Sequence, residues 1–194
     1  PAPVATPAPS GDFSSRENWI RTLGVTARTP AEEARILAGV QADGRQFRAT
    51  LTSEEQMRLQ FFVAYGSSRE TIRLGEGERR ALVRDALETM RRAPTVEDLH
   101  RLAVGQNPTM RNLAEERAQL PRVRATFRTI YGHDPVFSNQ AENRAWNALM
   151  YRVRFTRDLT LERRGINEFR RVFGRAPSDP FQWATVRVMG YVPR

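Results

Sequence analysis

The chain of 194 residues has no cysteine and no lysine, and each absence excludes a kind of chemistry. Without cysteine it has no disulfide, no thiolate zinc site and no cysteine nucleophile. Because lysine is missing, all 31 basic side chains are arginines. Guanidinium groups are always charged and pair with carboxylates and phosphates in a forked geometry. A GC-rich genome produces the same arginine usage, so this composition alone does not name a partner.

Long apolar runs and strand patterns are missing too. No apolar stretch approaches the roughly 18 residues of a membrane-spanning helix, so the sequence predicts no membrane span. Runs of β-branched residues with a period of two do not occur, which argues against a β-sheet fold. With 40% hydrophobic and 27% charged residues, the composition is that of a folded chain with one large domain or two small ones.

Catalytic signatures are absent from the sequence as well. There is no nucleophile elbow, no P-loop and no dinucleotide-binding glycine pattern. The two histidines lie outside metal-binding frames; His100 is predicted to pack in the interior and His133 to form a hydrogen bond in a loop. We therefore predict no metal site, no cofactor and no enzymatic activity. An all-helical hydrolase with two carboxylates across a cleft stays a distant alternative.

Residues 1–12 are rich in proline and alanine and predict an extended arm or linker with no core of its own. An arm at this position fits a processed end after a cleaved export signal or membrane anchor, and equally an arbitrary start point. Residues 13–120 are predicted to form an N-terminal helical region, and residues 121–194 a basic helical module.

Helix-start signals and apolar residues spaced three and four apart fill the rest of the chain. Thr29, for example, combines a capping box to Glu32 with Pro30 at the first helical position. The other predicted N-caps are Ser14 or Ser15, Thr52, Thr95, Ser138 or Asn139, and Ser178. The sequence thus predicts an all-α fold, an array of eight or nine short antiparallel helices arranged as helical hairpins. The predicted ranges are 14–24, 30–40, 52–65, 77–92, 95–104, 109–130, 139–154, 157–173 and 179–191.

Two helix endings repeat 42 residues apart and indicate a duplicated helical hairpin. Each has two aromatic residues one turn apart, a glycine for the left-handed C-terminal position and a proline that stops the helix. A helix with a tryptophan follows, and we expect each tryptophan to pack in the core near the aromatic pair. The copies are Phe127, Tyr131, Gly132, Pro135 and Trp146, and Phe169, Phe173, Gly174, Pro177 and Trp183; weaker copies end at Gly24, Gly66 and Gly105.

The segment 173–183, Phe-Gly-Arg-Ala-Pro-Ser-Asp-Pro-Phe-Gln-Trp, resembles the Y-x-x-x-x-G-R-x-P-D…W pattern of short helical repeat modules in large bacterial secreted and surface-layer proteins. The first copy departs from it with His133 in place of the arginine, and both copies lack the family's glycine before a Tyr-Trp pair. The resemblance covers about residues 127–191. It implies an extracellular, non-catalytic role in assembly or attachment, and it carries over no functional residues. The matching residues are Gly174, Arg175, Pro177 and Trp183.

The excess positive charge is concentrated in the C-terminal part. Residues 121–194 hold 14 arginines against six acids, a net charge of +8, whereas residues 1–120 hold 17 against 16, a net charge of +1. Near the predicted helix 157–173, arginines fall opposite the apolar side at helical spacing. They are candidates for binding nucleic acid, an acidic polymer or an acidic protein face. The alternatives are a solvated face paired with Glu162 and Glu168, or an internal network of ion pairs. The eight candidates are Arg152, Arg154, Arg157, Arg163, Arg164, Arg170, Arg171 and Arg175.

These features predict a non-enzymatic structural or interaction protein, an exported subunit of a bacterial surface or filamentous assembly. Its expected partner is another protein or further copies of itself. The predicted location is extracellular or at the cell surface, and a cytoplasmic location stays open. The main alternative is a nucleic-acid-binding protein that uses the arginine-rich helix face, although zinc-finger spacing and a basic region before heptads are absent.

Overall fold

The computed structural model describes residues 9–193, and every regular element in this range is a helix, which confirms the predicted all-α fold. The predicted arm, residues 1–12, lies mostly outside the described residues. The ten helices between residues 9 and 193 are α1 (Arg16–Leu23), α2 (Pro30–Gln46), α3 (Ser53–Tyr65), α4 (Arg69–Ile72), α5 (Glu76–Met90), α6 (Val96–Ala103), α7 (Leu113–Tyr131), α8 (Gln140–Tyr151), α9 (Leu159–Phe173) and α10 (Pro180–Tyr191).

The nine predicted helices are all present, and most of their ends differ by a few residues from those expected. Helix α2 continues to Gln46 beyond its predicted end at residue 40, and α8 ends at Tyr151, before residue 154. Arg152 ends α8 because it adopts a left-handed conformation, with φ 58°. The sequence does not predict α4, a single turn of four residues that is capped by the Ser68 side chain.

Side-chain hydrogen bonds start the helices largely where the sequence predicts. At α2, the Thr29 hydroxyl accepts a hydrogen bond of 3.3 Å from the Glu32 N–H, and the Glu32 carboxylate accepts one of 2.9 Å from the Thr29 N–H. Thr52 and Thr95 start α3 and α6 with the same reciprocal arrangement. Such caps satisfy the N–H groups that a helix start leaves unpaired, so these boundaries follow from local sequence.

The predicted cap of α10 is wrong by one position. Asp179, not Ser178, caps this helix, and its carboxylate accepts a hydrogen bond of 2.8 Å from the Gln182 N–H. Ser178 instead donates its own N–H to the Gln182 side chain at 2.9 Å. A charged carboxylate is the stronger acceptor of the two side chains and also interacts favourably with the helix dipole.

The helices share a hydrophobic core that takes residues from both the predicted N-terminal region and the predicted C-terminal module. Trp19 of α1 is fully buried, and its indole N–H donates a hydrogen bond of 2.7 Å to the Gly66 carbonyl. Phe62 of α3, Leu82 of α5 and Leu149 of α8 are fully buried as well. Removal of this apolar surface from water is the main favourable contribution to folding, at about 25 cal/mol per Å².

One buried arginine ties the end of α3 to the short helix α4. Arg79 of α5 is 5% exposed, and its guanidinium group donates hydrogen bonds to the carbonyls of Val63 at 2.7 Å and Ala64 at 2.9 Å. It also donates to the Leu74 carbonyl just after α4. Burial is the main cause that lowers the pKa of Arg79 to about 10. The arginine therefore satisfies carbonyls at helix ends that have no partner within their own helix.

The two repeated helix endings adopt the predicted backbone conformation. Gly132 after α7 and Gly174 after α9 are both left-handed, with φ 82° and 67°. A residue with a Cβ atom is strained in this conformation, which explains the glycine at both positions. Pro135 and Pro177 are partly buried in the loops that follow. The aromatic pairs are in contact in both copies, Phe127 with Tyr131 at 4.4 Å and Phe169 with Phe173 at 4.6 Å between ring centroids.

The tryptophans of the two copies differ in their surroundings. Trp146 packs edge-on against Phe127, with ring centroids 6.1 Å apart. Trp183 is 43% exposed, so the prediction that it packs in the core is wrong. Within residues 181–190, only Trp183 and Arg187 are not buried, and they lie one turn apart on α10. Trp183 is therefore on the narrow side of α10 that neighbouring helices leave uncovered.

Helices α9 and α10 cross at two glycines with their backbones in contact. A Cβ atom on Gly165 would overlap the carbonyl oxygen of Val186 and lie 3.1 Å from the nitrogen of Gly190. A Cβ atom on Gly190 would in turn overlap the Leu161 carbonyl oxygen. Only glycine permits such a close approach of two backbones. The crossing holds one side of α9 against the protein and leaves its opposite side to solvent.

Candidate functional site

Helix α9 carries four of the eight arginines that the sequence predicts as a binding surface. Asp158 starts the helix, and its carboxylate accepts hydrogen bonds from the N–H groups of Thr160 at 2.8 Å and Leu161 at 3.0 Å. Gly165 and Phe169 are the buried positions of the helix. Six arginines on and around α9 are exposed, and together they are called the α9 arginine surface: Arg157, Arg163, Arg164, Arg170, Arg171 and Arg175.

The two remaining candidates, Arg152 and Arg154, do not belong to this surface. They are 1% and 7% exposed and lie in the segment that follows α8. Both are close to acidic residues of α5, so for these two arginines the structure supports the alternative of an internal ion-pair network. A partner that approaches from solvent does not reach either guanidinium group.

The α9 arginine surface contains both paired and unpaired guanidinium groups. No carboxylate in the part of the chain that the structure describes pairs with Arg163, Arg170 or Arg175. Arg163 and Arg170 are two helical turns apart, about 10 Å along α9. The other three have internal contacts: Arg157 with Glu162 at 3.7 Å, Arg171 with Glu168 at 2.8 Å, and Arg164 with the Gly190 carbonyl, to which it donates.

The C-terminal end of α9 favours this accumulation of positive charge. Arg170 and Arg171 lie in the last turn of the helix, where the partial negative charge of the helix dipole attracts cations. A hydrogen bond to Glu168 raises the pKa of Arg171 further. Arginines stay protonated at all physiological pH values, so the α9 arginine surface is permanently positive. Its interactions are therefore expected to weaken with salt, and any pH dependence is expected to come from the partner's acidic groups.

Arg152 and Arg154 belong to a buried arginine network between α5, the segment after α8, and α10. Arg154 Nη1 and Arg187 Nη2 lie 2.6 and 3.3 Å from the same oxygen of Asp85, and Arg152 Nη2 lies 3.4 Å from Glu88. Burial raises the pKa of Glu88 and is the main cause that lowers the pKa of Arg187 to about 10. The network thus contains three arginines and two carboxylates: Arg152, Arg154 and Asp85 are buried, and Glu88 and Arg187 are at the partly exposed edge, with 14% and 16% of their side-chain area accessible.

Arg122 of α7 connects this network to the protein surface. It lies 3.0 Å from Asp179, the cap of α10, and 4.0 Å from Glu88. Its guanidinium carbon is 4.0 Å from the ring centroid of Phe181, and that of Arg152 is 5.0 Å from the same centroid. Cation–π contacts of this kind are favourable when the charge is partly desolvated. The start of α10 is therefore held by both charge and aromatic packing.

The sequence contains two signals of the buried network that its helical patterns alone do not explain. Asp85 interrupts the apolar stripe that contains Leu82, Val83 and Ala86. If this stripe faces the core, the Asp85 carboxylate is buried with it and needs a partner. Arg187 is the one charged residue in the sequence of α10. A charge in an otherwise apolar helix predicts a buried partner, and Asp85 is that partner.

The described residues contain neither a metal-binding group nor a helix that could span a membrane. No cluster of three or more His, Asp or Glu side chains between residues 9 and 193 could hold an ion. No helix in this range is sufficiently long and apolar to cross a bilayer. His100 is 1% exposed, with Nδ1 3.0 Å from the Ser68 hydroxyl. His133 lies in the loop after α7, where its Nδ1 is 2.7 Å from the Asp134 carbonyl oxygen.

Comparisons with known proteins leave the family of this chain open. No protein-family model matches it, and neither the curated proteins nor the solved structures include a significant match. The resemblance of residues 127–191 to helical modules of secreted proteins therefore stays a prediction.

Proposed function

We propose that this chain is a non-enzymatic interaction protein that pairs the α9 arginine surface with an acidic face of a neighbouring subunit or another protein. The observation that carries the proposal is the set of three exposed, unpaired guanidinium groups of Arg163, Arg170 and Arg175. Such a group forms forked hydrogen bonds to a partner's carboxylate without first breaking an internal ion pair. The three groups are thus available for contacts between molecules.

The backbone of α9 is held firmly in position by its cap and by its contact with α10. Helix α9 is fixed by its capping residue Asp158 and by the close contact of Gly165 with α10. Side chains on a rigid helix are presented with less loss of backbone entropy than side chains on a loop. A partner that meets the α9 arginine surface therefore meets a preformed arrangement of charges.

The assembly part of the proposal rests on the repeated pattern. We infer that α7–α8 and α9–α10 are two copies of one antiparallel helical hairpin, since Gly132 and Gly174 have similar conformations and follow similar aromatic pairs. Stacked repeats of this kind bury their apolar faces against neighbours and form extended arrays. An exported subunit of a bacterial surface or filamentous assembly is the role that follows, with export supported only by the resemblance.

Charge reversal of the unpaired arginines tests the proposal. The triple variant Arg163→Glu/Arg170→Glu/Arg175→Glu removes three positive charges without breaking an internal ion pair. We expect it to abolish concentration-dependent assembly in light scattering and sedimentation velocity, because like charges then oppose each other at the contact. Far-UV circular dichroism is expected to stay that of the wild type.

The matched control reverses three exposed arginines outside α9, namely Arg21, Arg45 and Arg117. It changes the net charge by the same amount and is expected to leave assembly unchanged. Assembly of the α9 variant at wild-type concentrations contradicts the proposal. So does a wild-type chain that stays monomeric and captures no acidic protein.

A second candidate function is nucleic-acid binding through the same surface, and the charge distribution favours it. The net charge of +8 in residues 121–194 has no acidic counterpart in residues 1–120, whose net charge is +1. Neither part of a second copy therefore carries a net negative charge, whereas a phosphate backbone carries one negative charge per nucleotide. This function predicts binding of labelled DNA that falls steeply with salt and is lost in the α9 triple variant but kept in the control. Absence of binding at low salt excludes it.

A further inference from the structure

An open cleft of about 490 Å³ lies between the end of α1 and the segment around α4. This size is in the range of small-molecule sites. None of the residues that form the α9 arginine surface lines the cleft. None of the described residues that line the cleft is acidic. Its lining combines hydroxyl and guanidinium groups with apolar carbon, and the residues used below are Thr22, Leu23, Ser67, Ser68, Arg69, Ile72 and Arg73.

Ser67 provides the most specific feature of the cleft. It is 2% exposed, its N–H donates a hydrogen bond of 2.8 Å to the Thr71 hydroxyl, and its own hydroxyl has no partner among the described residues. A buried hydroxyl without a hydrogen bond is costly and uncommon in native proteins. Since Ser67 lines the cleft, its hydroxyl is a donor with no partner among the described residues at the place where a ligand would bind.

The positive charge around the cleft indicates the chemical class of that ligand. Arg69 and Arg73 are exposed, and no carboxylate in the described range pairs with either. The pKa of the nearby Glu70 is lowered, first by a hydrogen bond from its own backbone N–H and then by the Ser68 hydroxyl, His100 and Arg73. The Glu70 carboxylate therefore stays ionised beside these arginines, without forming an ion pair with either.

Residues 66–74, which form one side of the cleft, are held in place by Arg79 and His100. Gly66 has φ 80°, and a Cβ atom there would lie only 2.9 Å from the Ile72 nitrogen, so the turn into α4 is closely packed. Arg79 donates to carbonyls on both sides of α4, and His100 Nδ1 lies 3.0 Å from the Ser68 hydroxyl. A preformed site binds with a smaller loss of entropy than one that has to order.

We propose that this cleft binds a small ligand with an oxyanion group, a phosphate or a carboxylate. The Ser67 hydroxyl donates a hydrogen bond to the oxyanion, and Arg69 and Arg73 supply charge-assisted hydrogen bonds. Leu23 and Ile72 contact an apolar part of the ligand. The site is separate from the α9 arginine surface and does not depend on its function.

The test is an NMR titration of the ¹⁵N-labelled full chain with inorganic phosphate and, in a second series, with acetate. Residue-resolved signals are needed because the α9 arginine surface also attracts anions. We expect saturable shifts of the amide signals of residues 67–73. The series that saturates at the lower concentration identifies phosphate or carboxylate as the preferred group. Binding in the double variant Arg69→Ala/Arg73→Ala is expected to be weaker by about tenfold or more. The control Arg45→Ala/Arg117→Ala is expected to bind like the wild type.

Ser67→Ala separates a binding role from a structural one. Because it removes an unpartnered buried hydroxyl, we expect a melting temperature in anion-free buffer equal to or above that of the wild type. The same variant is expected to lose most of its affinity for the anion. Anion affinity that is unchanged by Ser67→Ala overturns the proposal, and so do shifts that are confined to residues 157–175 in both series.

Discussion

Replacement of Asp85 by asparagine is expected to lower the free energy of unfolding by about 3–5 kcal/mol, the range for removal of one partner from a buried ion pair. Asp85 is 3% exposed, and its carboxylate faces both Arg154 and Arg187. When Asp85 loses its charge, the guanidinium groups of Arg154 and Arg187 stay largely desolvated and have lost their shared counter-charge. Burial, and after it the nearby positive charge of Arg154, lower the pKa of Arg187, as expected for two cations held close together. Since domains of this size are stable by about 5–15 kcal/mol, the loss is a large share of the total.

Urea unfolding followed by tryptophan fluorescence and circular dichroism measures this loss. The matched control is Asp134→Asn, the same chemical change at a carboxylate that lies 2.8 Å from Arg124 and 2.6 Å from Arg128. Asp134 is on the surface, where water screens the pairs and solvates the arginines that remain. We expect a far smaller change there, although both carboxylates contact two arginines.

A double variant shows whether unpaired charge is the cause. Asp85→Asn/Arg154→Met removes one cation together with the anion, and we expect it to be more stable than Asp85→Asn alone. If Asp85→Asn unfolds no more readily than Asp134→Asn, the buried arginine network does not have the stabilising role inferred from its geometry. If the double variant is less stable than the single one, loss of packing and not of charge explains the effect.

The helices could be predicted from the sequence because their determinants are local. Thr29, Thr52 and Thr95 make cap hydrogen bonds to residues three positions ahead, and Gly132 and Gly174 end helices through their own backbone conformation. These interactions form within one or two turns of chain. Helix α4 has only one turn, and it depends on Arg79, which follows it in the sequence and donates to the carbonyls of Thr71 and Leu74.

The division of the arginine candidates could not be predicted, since burial depends on distant partners. Arg152 and Arg154 follow α8 in the same basic stretch as Arg157, and nothing in their spacing separates them from it. Their partners Asp85 and Glu88 lie about 65 residues earlier, on α5. A carboxylate at that sequence distance decides whether an arginine is a surface charge or part of the interior.

The exposure of Trp183 and the existence of the cleft also depend on tertiary packing. The pattern of the repeat predicts that Trp183 is buried, by analogy with Trp146. The packing of α10 leaves Trp183 exposed instead. The cleft combines Thr22 of α1 with Ser67 and Arg73 near α4, residues that are brought together only by the tertiary fold. Serines and arginines of this kind are common on surfaces, so the sequence alone does not distinguish them.

Replacement of Gly165 by alanine is expected to lower the free energy of unfolding by about 3 kcal/mol, the upper end of the range for overpacking. Alanine favours a helix over glycine by up to about 1 kcal/mol, so a stabilising effect is expected wherever space allows it. At Gly165 the added Cβ atom meets the Val186 carbonyl oxygen, a backbone atom that moves only with α10 itself. Thermal and urea unfolding measure the loss. The control Gly77→Ala in α5, where no atom lies within 4 Å of the added carbon, is expected to gain stability. A Gly165→Ala variant as stable as the Gly77→Ala control contradicts the close crossing.

Gly165→Ala also separates the position of α9 from its charge. It displaces the helix without altering any arginine, whereas the triple reversal of Arg163, Arg170 and Arg175 alters the charge without adding an atom at the crossing. A flexible acidic polymer adapts to a displaced row of charges and should bind the folded alanine variant like the wild type. A rigid protein face requires the original arrangement, because its binding groups cannot follow the helix. One pair of results therefore identifies a preformed protein interface on α9. Assembly is lost in both variants, whereas binding of the acidic polymer is lost only in the triple charge-reversal variant.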